Sequence, residues 1–185
     1  LNAPMLELIV EDGRVVGARI EREGELVEVR ARKGVLIATG GFSKNKAMRE
    51  QYQQGPVSDE WTGASPGATG DGIRMGKEIG ADLAFMGSAW WSPTYRLPDQ
   101  RTLALIAGKA YPGSIMVNRK GRRFTNEAQP YEDFVKDQYA SEARGEQAIP
   151  CYLVFDSVYR SKYPVGHIRP GKLEKDMMLS SDIFD

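Results

Sequence analysis

Gly34-Val35-Leu36-Ile37-Ala38-Thr39-Gly40-Gly41-Phe42 is the stretch whose reading decides the fold. Residues 35–38 form an uninterrupted apolar run, the pattern of a parallel strand covered on both faces rather than of a half-wet antiparallel one. The run ends in paired glycines, and residues 43–54 then have helical composition without Gly or Pro, with Ser43 placed to cap them. A buried strand at 34–39 and a helix at 43–54 are therefore expected, in a chain of mixed α/β and α+β character.

Upstream, residues 5–10, 15–20 and 26–29 are short β-branched runs separated by Glu11-Asp12-Gly13-Arg14 and Glu23-Gly24-Glu25. They read as an antiparallel β-meander over 5–31, charged enough to keep one face wet and placed as an insertion. Downstream, a Gly- and Pro-punctuated stretch leads to Ala68-Thr69-Gly70-Asp71-Gly72, which opens a helix over 70–79 that stops at Gly80. Residues 81–86 read as a strand, and 87–100 as an irregular crossing with a domain boundary near residue 90. The expected units are 1–90 and 91–185. In the second, 102–107 is a short helical or buried segment, 113–118 a strand turning through 119–122, 131–143 a helix and 149–155 a strand. Asp156 caps a further helix reaching about Tyr163, and 164–185 is loosely structured.

Composition bounds the function. The chain has 185 residues, with 25 Lys+Arg against 25 Asp+Glu, 41% hydrophobic residues, one His and one Cys. A chain of this size buries about 70% of its unfolded surface, enough for one core and a smaller satellite. Zero formal charge without like-charge blocks gives no field for phosphates, so neither nucleic acid nor an anionic membrane is an expected partner. One His and one Cys cannot close a zinc site or form an internal disulfide, which points to a reducing, cytoplasmic setting. No run is long and apolar enough to span a membrane. The chain begins at Leu1 on strand-like sequence and ends at Asp185 without a helix stop, and is read as an interior piece of a longer protein.

Several segments have a chemical reading beside a plain one. Gly40-Gly41 after a strand lets backbone approach a flat ligand or diphosphate without Cβ interference, although two glycines after a strand are commonly an ordinary strand-to-helix turn. Thr69-Gly70-Asp71-Gly72 offers N–H groups at a helix start for an anion or polar ring edge, but Gly67, Gly70 and Gly72 are not in the G-x-G-x-x-G order of the dinucleotide fingerprint. Trp90-Trp91 beside Ser92-Pro93 lines an apolar cavity or plugs a domain interface. His167 reads as an exposed loop residue rather than a general base, and the basic run 119–123 as a solvated hairpin tip. Pro130 starts a helix with Tyr131 in its first turn, where the helix end favours an anion, although most such tyrosines simply pack.

Taken together, residues 34–42, Thr69-Gly70-Asp71-Gly72-Ile73 with Gly80-Ala81-Asp82, and Val117-Asn118-Arg119-Lys120-Gly121-Arg122-Arg123-Phe124-Thr125-Asn126-Glu127 resemble the fumarate reductase and succinate dehydrogenase flavoprotein superfamily. Ala89-Trp90-Trp91 before Pro93, the run 126–131, and Val154-Phe155-Asp156 with Tyr159-Arg160 and Tyr163 are most similar to its 3-ketosteroid dehydrogenase branch. The resemblance covers the chain to about Gly166. It implies the end of a Rossmann-like FAD domain carrying a β-meander insertion, followed by part of an α+β cap that closes over the flavin. It further implies that Ala38, Thr39, Gly40 and Gly41, with Thr69, Gly70, Asp71 and Gly72, contribute to a non-covalent FAD site. Trp90, Trp91 and Ser92 would line the substrate pocket, and Tyr131 would be the base that removes a proton from a steroid A ring while the flavin accepts a hydride.

The same resemblance places Tyr131 where soluble fumarate reductases carry a proton-delivering arginine. Ala107 and Ala110 stand where their relay has Glu and Arg, and Ser92 where they have His before Pro-Thr. A dicarboxylate requires cationic clamps, whereas aromatics suit a flat apolar substrate. The leading expectation is an FAD-dependent enzyme that dehydrogenates a 3-ketosteroid-like substrate and hands electrons to an unidentified acceptor. The alternative, reduction of a small activated alkene such as fumarate, requires an arginine facing the flavin, with Arg96, Arg122 and Arg123 as candidates. The isolated segment is expected to be inactive, and to associate through apolar faces that truncation exposes.

Overall fold

The computed structural model describes residues 2–97 and 99–171. Three strands, β1 (Met5–Glu11), β2 (Arg14–Arg22) and β3 (Glu25–Arg30), make an antiparallel sheet in the order β1-β2-β3. Both turns are tight, with Gly13 and Gly24 at φ +74° and +83°, the left-handed region that glycine enters freely. Gly17 is required for a different reason. A Cβ there would lie 2.4 Å from the Val29 carbonyl oxygen, so β2 and β3 approach too closely for a side chain. Across the sheet Arg19 pairs with Glu7 and Glu28, and Arg30 with Glu11. Such exposed pairs fix register more than they add stability.

Residues 34–39 are not a strand. They pair with no strand among the described residues, and Leu36 is 90% exposed. A parallel strand exists only through its ladder neighbours, so the apolar pattern records burial that these residues do not by themselves create. Residues 81–86 also form no strand. Phe85 is left-handed, at φ +55°, and 87% exposed, which interrupts an extended run.

Helix α1 (Lys46–Tyr52) is shorter than the expected 43–54, and its cap is Asn45 rather than Ser43. The Asn45 side chain accepts from Met48 N–H at 3.0 Å and donates to Thr69 O at 2.9 Å, a second bond supplied by its amide NH₂. Helix α2 (Asp71–Glu78) starts from Gly70, whose left-handed φ of +82° turns the chain into it. Strands β4 (Thr94–Arg96) and β5 (Thr102–Ala104) form a hairpin where the sequence pattern gave an irregular crossing and a short helical or buried segment.

The core lies in the second half. Strand β6 (Ser114–Val117) pairs antiparallel with β7 (Tyr152–Phe155), and α3 (Tyr131–Ala143) and α4 (Ser157–Lys162) pack against them. Phe134, Tyr159, Val165, Leu153 and Met116 are buried together. Asp156 caps α4 by accepting from Tyr159 N–H at 2.7 Å, and the buried Tyr159 hydroxyl donates to Gly108 O at 2.6 Å. Burial pushes the Tyr159 phenol up to about 12, so it remains a neutral donor to that carbonyl at ordinary pH. The loosely structured tail expected at 164–185 includes a short bridge between Val165 and Ile168, and residues 172–185 lie outside the described residues.

At the end of α3, Gly145 at φ +75° reverses the chain so that the Glu146 carboxylate accepts from Arg144 and Ser141. These bonds, Arg144 first and Ser141 second, hold its pKa down from 4.5 to about 2. A carboxyl depressed in the folded state stabilises fully above its unfolded value, and the contribution is lost as pH falls through the folded one. Glu146→Gln should therefore flatten the decline of melting temperature between pH 4.5 and about 2, measured by thermal melts across that window. Phe134, 0% exposed, anchors the α3 face. Phe134→Ala should cost about 3–5 kcal/mol by denaturant titration.

Candidate functional site

Two glycine segments far apart in sequence meet side by side. Gly70 N–H donates to Gly41 O at 3.1 Å, and Lys44 N–H to Ala68 O at 2.9 Å. A Cβ at Gly72 would sit 2.2 Å from Thr39 Oγ1 and 2.5 Å from Ile37 Cγ2, and one at Gly70 would strike Met48 and Phe42. Glycine at 70 and 72 lets the start of α2 lie close against the side chains of Ile37, Thr39, Phe42 and Met48. Ala38, Thr39, Gly40, Gly41, Thr69, Gly70, Asp71 and Gly72 thus form one backbone platform. Thr69 Oγ1 donates to the exposed Asp71 carboxylate at 2.7 Å. On its open side a Cβ at Gly40 or Gly41 would meet nothing within 4 Å, so bare backbone faces outward there. That suits a planar ring or a diphosphate laid against main chain.

Tyr131 stands in the first turn of α3, after Pro130 at φ −49°. Its hydroxyl oxygen accepts a hydrogen bond from Trp90 Nε1 at 2.5 Å. The indole N–H can only donate, so the phenol oxygen is the acceptor in this pair. Trp90 is 84% exposed and carries this bond on its rim.

Trp91 turns the other way. It packs on Tyr139, ring centroids 5.1 Å apart, and lines a cavity of about 360 Å³ together with Ser92, Tyr95, Met116, Val135 and Leu153. The volume is in the range of small-molecule sites, and the wall is mostly apolar. The adjacent tryptophans therefore divide their work, with Trp90 on the phenol of Tyr131 and Trp91 in the cavity wall, which Tyr131 and Trp90 do not line. Val135, one turn after Tyr131 on α3, connects the two places.

Two arginines also border the cavity. Arg49, only 6% exposed, gives its hydrogen bonds to Ser58 O at 2.6 Å and Gln53 Oε1 at 2.9 Å. Burial pushes its pKa down, partly offset by the nearby Tyr139 and Asp59. Sequence reasoning missed Arg49, since nothing local marks an arginine on a short helix as buried. Arg96 lies on the wall and binds Glu60 at 2.6 Å, whereas Arg123 is committed to Glu127. His167 is exposed in its loop, stacked on Tyr95, with Nδ1 2.8 Å from the Tyr95 hydroxyl. Ala107 and Ala110 are both exposed and flank the buried Lys109.

Residues 1–178 match the FAD binding domain family. The chain belongs to that family. It is 40% identical to the 3-oxosteroid 1-dehydrogenase of Mycobacterium tuberculosis, over 100% of this chain and 34% of that protein. It is similar in structure to 3-ketosteroid delta1-dehydrogenase from Sterolibacterium denitrificans, solved in complex with 1,4-androstadiene-3,17-dione. The TM-score is 0.90 at 40% identity, covering 95% of this chain and 32% of that one. A more distant likeness is the NADH:fumarate oxidoreductase of Klebsiella pneumoniae, 34% identical over 88% of this chain and 17% of that protein. The chain thus spans about a third of the length of the steroid dehydrogenases it matches. As an FAD-binding-domain chain it has mixed strand and helix content, and no described helix is long and apolar enough to cross a membrane.

Because Gly41 has open space beside it, a side chain there does not disturb the chain itself. Gly41→Val should leave the melting temperature of the flavin-free protein unchanged while lowering the flavin retained on purification, read from the visible absorbance of the full-length protein. Unchanged flavin content would return Gly41 to an ordinary turn.

Proposed function

We propose that this chain is the part of an FAD-dependent oxidoreductase that dehydrogenates a 3-ketosteroid-like substrate, with Tyr131 as the base. The observation that carries the reading is that a tyrosine, not a cation, occupies the first turn of α3, its oxygen held by the Trp90 indole. An N–H donor and a helix start both favour negative charge on that oxygen, as proton abstraction beside a ketone requires. The 40% identity to a 3-oxosteroid 1-dehydrogenase supports the same substrate class.

On this reading a bound flavin would supply the hydride acceptor for the carbon next to the one that gives its proton to Tyr131. The backbone of residues 38–41 and 69–72 would hold the flavin, with open space where a Cβ at Gly40 or Gly41 would stand. Trp90, Trp91 and Ser92 guide the apolar substrate, and the cavity behind Trp91 accepts part of it. The parent architecture is a Rossmann-like FAD domain over 1–90 with the meander as an insertion, and a cap over 91–185. The exposed Leu36, Ile37 and Phe85 then belong against other parts of the full-length protein, and the chain alone would be inactive and self-associating. A cytoplasmic setting and a separate electron acceptor complete the proposal.

Arg96 on the cavity wall favours a second reading, reduction of a small activated alkene. Its guanidinium already binds Glu60, which leaves a weak clamp for a dicarboxylate. The two readings separate in the full-length protein. Anaerobic bleaching of the flavin by a 3-ketosteroid supports the dehydrogenase, and reoxidation of chemically reduced flavin by fumarate with no response to steroid supports the reductase. Tyr131→Phe should lower steroid turnover by about 10²–10⁴-fold with normal flavin content. Wild-type turnover would remove Tyr131 from the chemistry.

A further inference from the structure

Lys109 is 2% exposed, in a 3₁₀ turn over Gly108–Ala110. Its ammonium donates to Glu127 O at 2.6 Å and to Gln129 O at 2.8 Å, and lies 5.2 Å from the centre of the Phe134 ring. Lysine has three N–H donors; two hold carbonyls two residues apart, and the charge rests over an aromatic face. A lysine kept from water at this depth, on backbone rather than a carboxylate, is a costly way to fill space, since an apolar side chain would do so without a charge to satisfy. Burial pushes its pKa down, and the nearby Glu127 charge partly restores it.

What Lys109 holds is the approach to Tyr131. Gln129 and Glu127 are the second and fourth residues before it, and Pro130, which has no N–H of its own, is the only residue between the gripped Gln129 carbonyl and Tyr131. The other side of the same loop is fixed independently. The Gln129 amide donates to Thr125 Oγ1 at 2.7 Å and Asp137 Oδ2 at 2.8 Å, and the Glu127 carboxylate accepts from Met116 N–H at 2.8 Å. With fixed carbonyls at 127 and 129 and a proline next, the place where α3 starts, and with it the Tyr131 oxygen, follows from the position of the Lys109 ammonium.

We infer that Lys109 is a positioning residue for the Tyr131 base, setting the start of α3 through the carbonyls of Glu127 and Gln129. This rests on the reading of Tyr131 as the base, and predicts a loss in turnover that passes through Tyr131. In the full-length, flavin-loaded protein, Lys109→Met should lower kcat for a 3-ketosteroid about 10- to 100-fold, the effect of misplacing a reacting group by about an ångström. Flavin content and steroid KM should stay near wild type.

The deciding measurement is the cycle with Tyr131→Phe. If Lys109 acts through the phenol, Lys109→Met/Tyr131→Phe should turn over no more slowly than Tyr131→Phe alone. Losses that multiply, or an unchanged kcat in Lys109→Met, overturn the inference while leaving Tyr131 as the base. A Tyr131→Phe enzyme with wild-type turnover overturns instead the reading beneath it. Should Lys109→Met not accumulate as flavin-loaded protein, Lys109→Arg takes its place in the same cycle. It keeps the charge but carries its donors further out on a planar group, which displaces the two carbonyls and the start of α3, and wild-type turnover or a multiplying loss there also overturns the inference.

Discussion

The carboxylate of Glu127 is buried, 5% exposed, between strand β6 and the loop that leads into α3. Burial alone would raise its pKa; the hydrogen bonds from Arg123 and from Met116 N–H outweigh it and hold the group below the usual carboxylate range. A charge in that position is tolerable only with all its partners in place. The turn through residues 118–122, the return of Arg123 and the loop of residues 124–130 must therefore close as a unit. Asn118, itself buried, accepts from the backbone N–H groups of Lys120 and Arg122 and shapes the turn. Lys109 then takes hold of the Glu127 carbonyl from the opposite side. The direction of α3, and so the place of Tyr131, follows from this buried polar knot rather than from helix propensity.

The glycine platform depends on a different kind of constraint, the absence of atoms. Gly70 and Gly72 remove the Cβ groups that would separate the start of α2 from residues 37–42, and one backbone bond, Gly70 N–H to Gly41 O, closes the gap. Asn45 adds a side-chain bond to Thr69 O while capping α1, so a single amide fixes both segments. The platform and the tyrosine are built by independent means. One is main chain brought close by missing side chains, and the other is a helix end positioned by buried charge.

Legibility in the sequence followed the range of the interactions. Helix α3 occupies the expected 131–143, because Pro130 at its start and Gly145 beyond its end are local signals. Asp156 capping α4 was equally local, whereas Ser43 lost the cap of α1 to Asn45 because Thr69, 24 residues away, rewards an amide. The β4–β5 hairpin escaped because two three-residue strands are too short to show a period. Nothing local marks Arg49 and Lys109 as buried, because their partners lie beyond their own turns.

The sequence by itself determined the meander, the second-half helices and the family, since these rest on turn glycines, caps and motif order along the chain. Only the tertiary structure decided that Trp90 and Trp91 part company, one bonded to Tyr131 and the other lining a cavity. It also decided that residues 34–39, apolar as any core strand, have no ladder among the described residues and leave Leu36 exposed. The physical reason is common to both. An apolar pattern states a side chain's preference for burial, but burial and pairing are properties of neighbours, and neighbours are supplied by the fold.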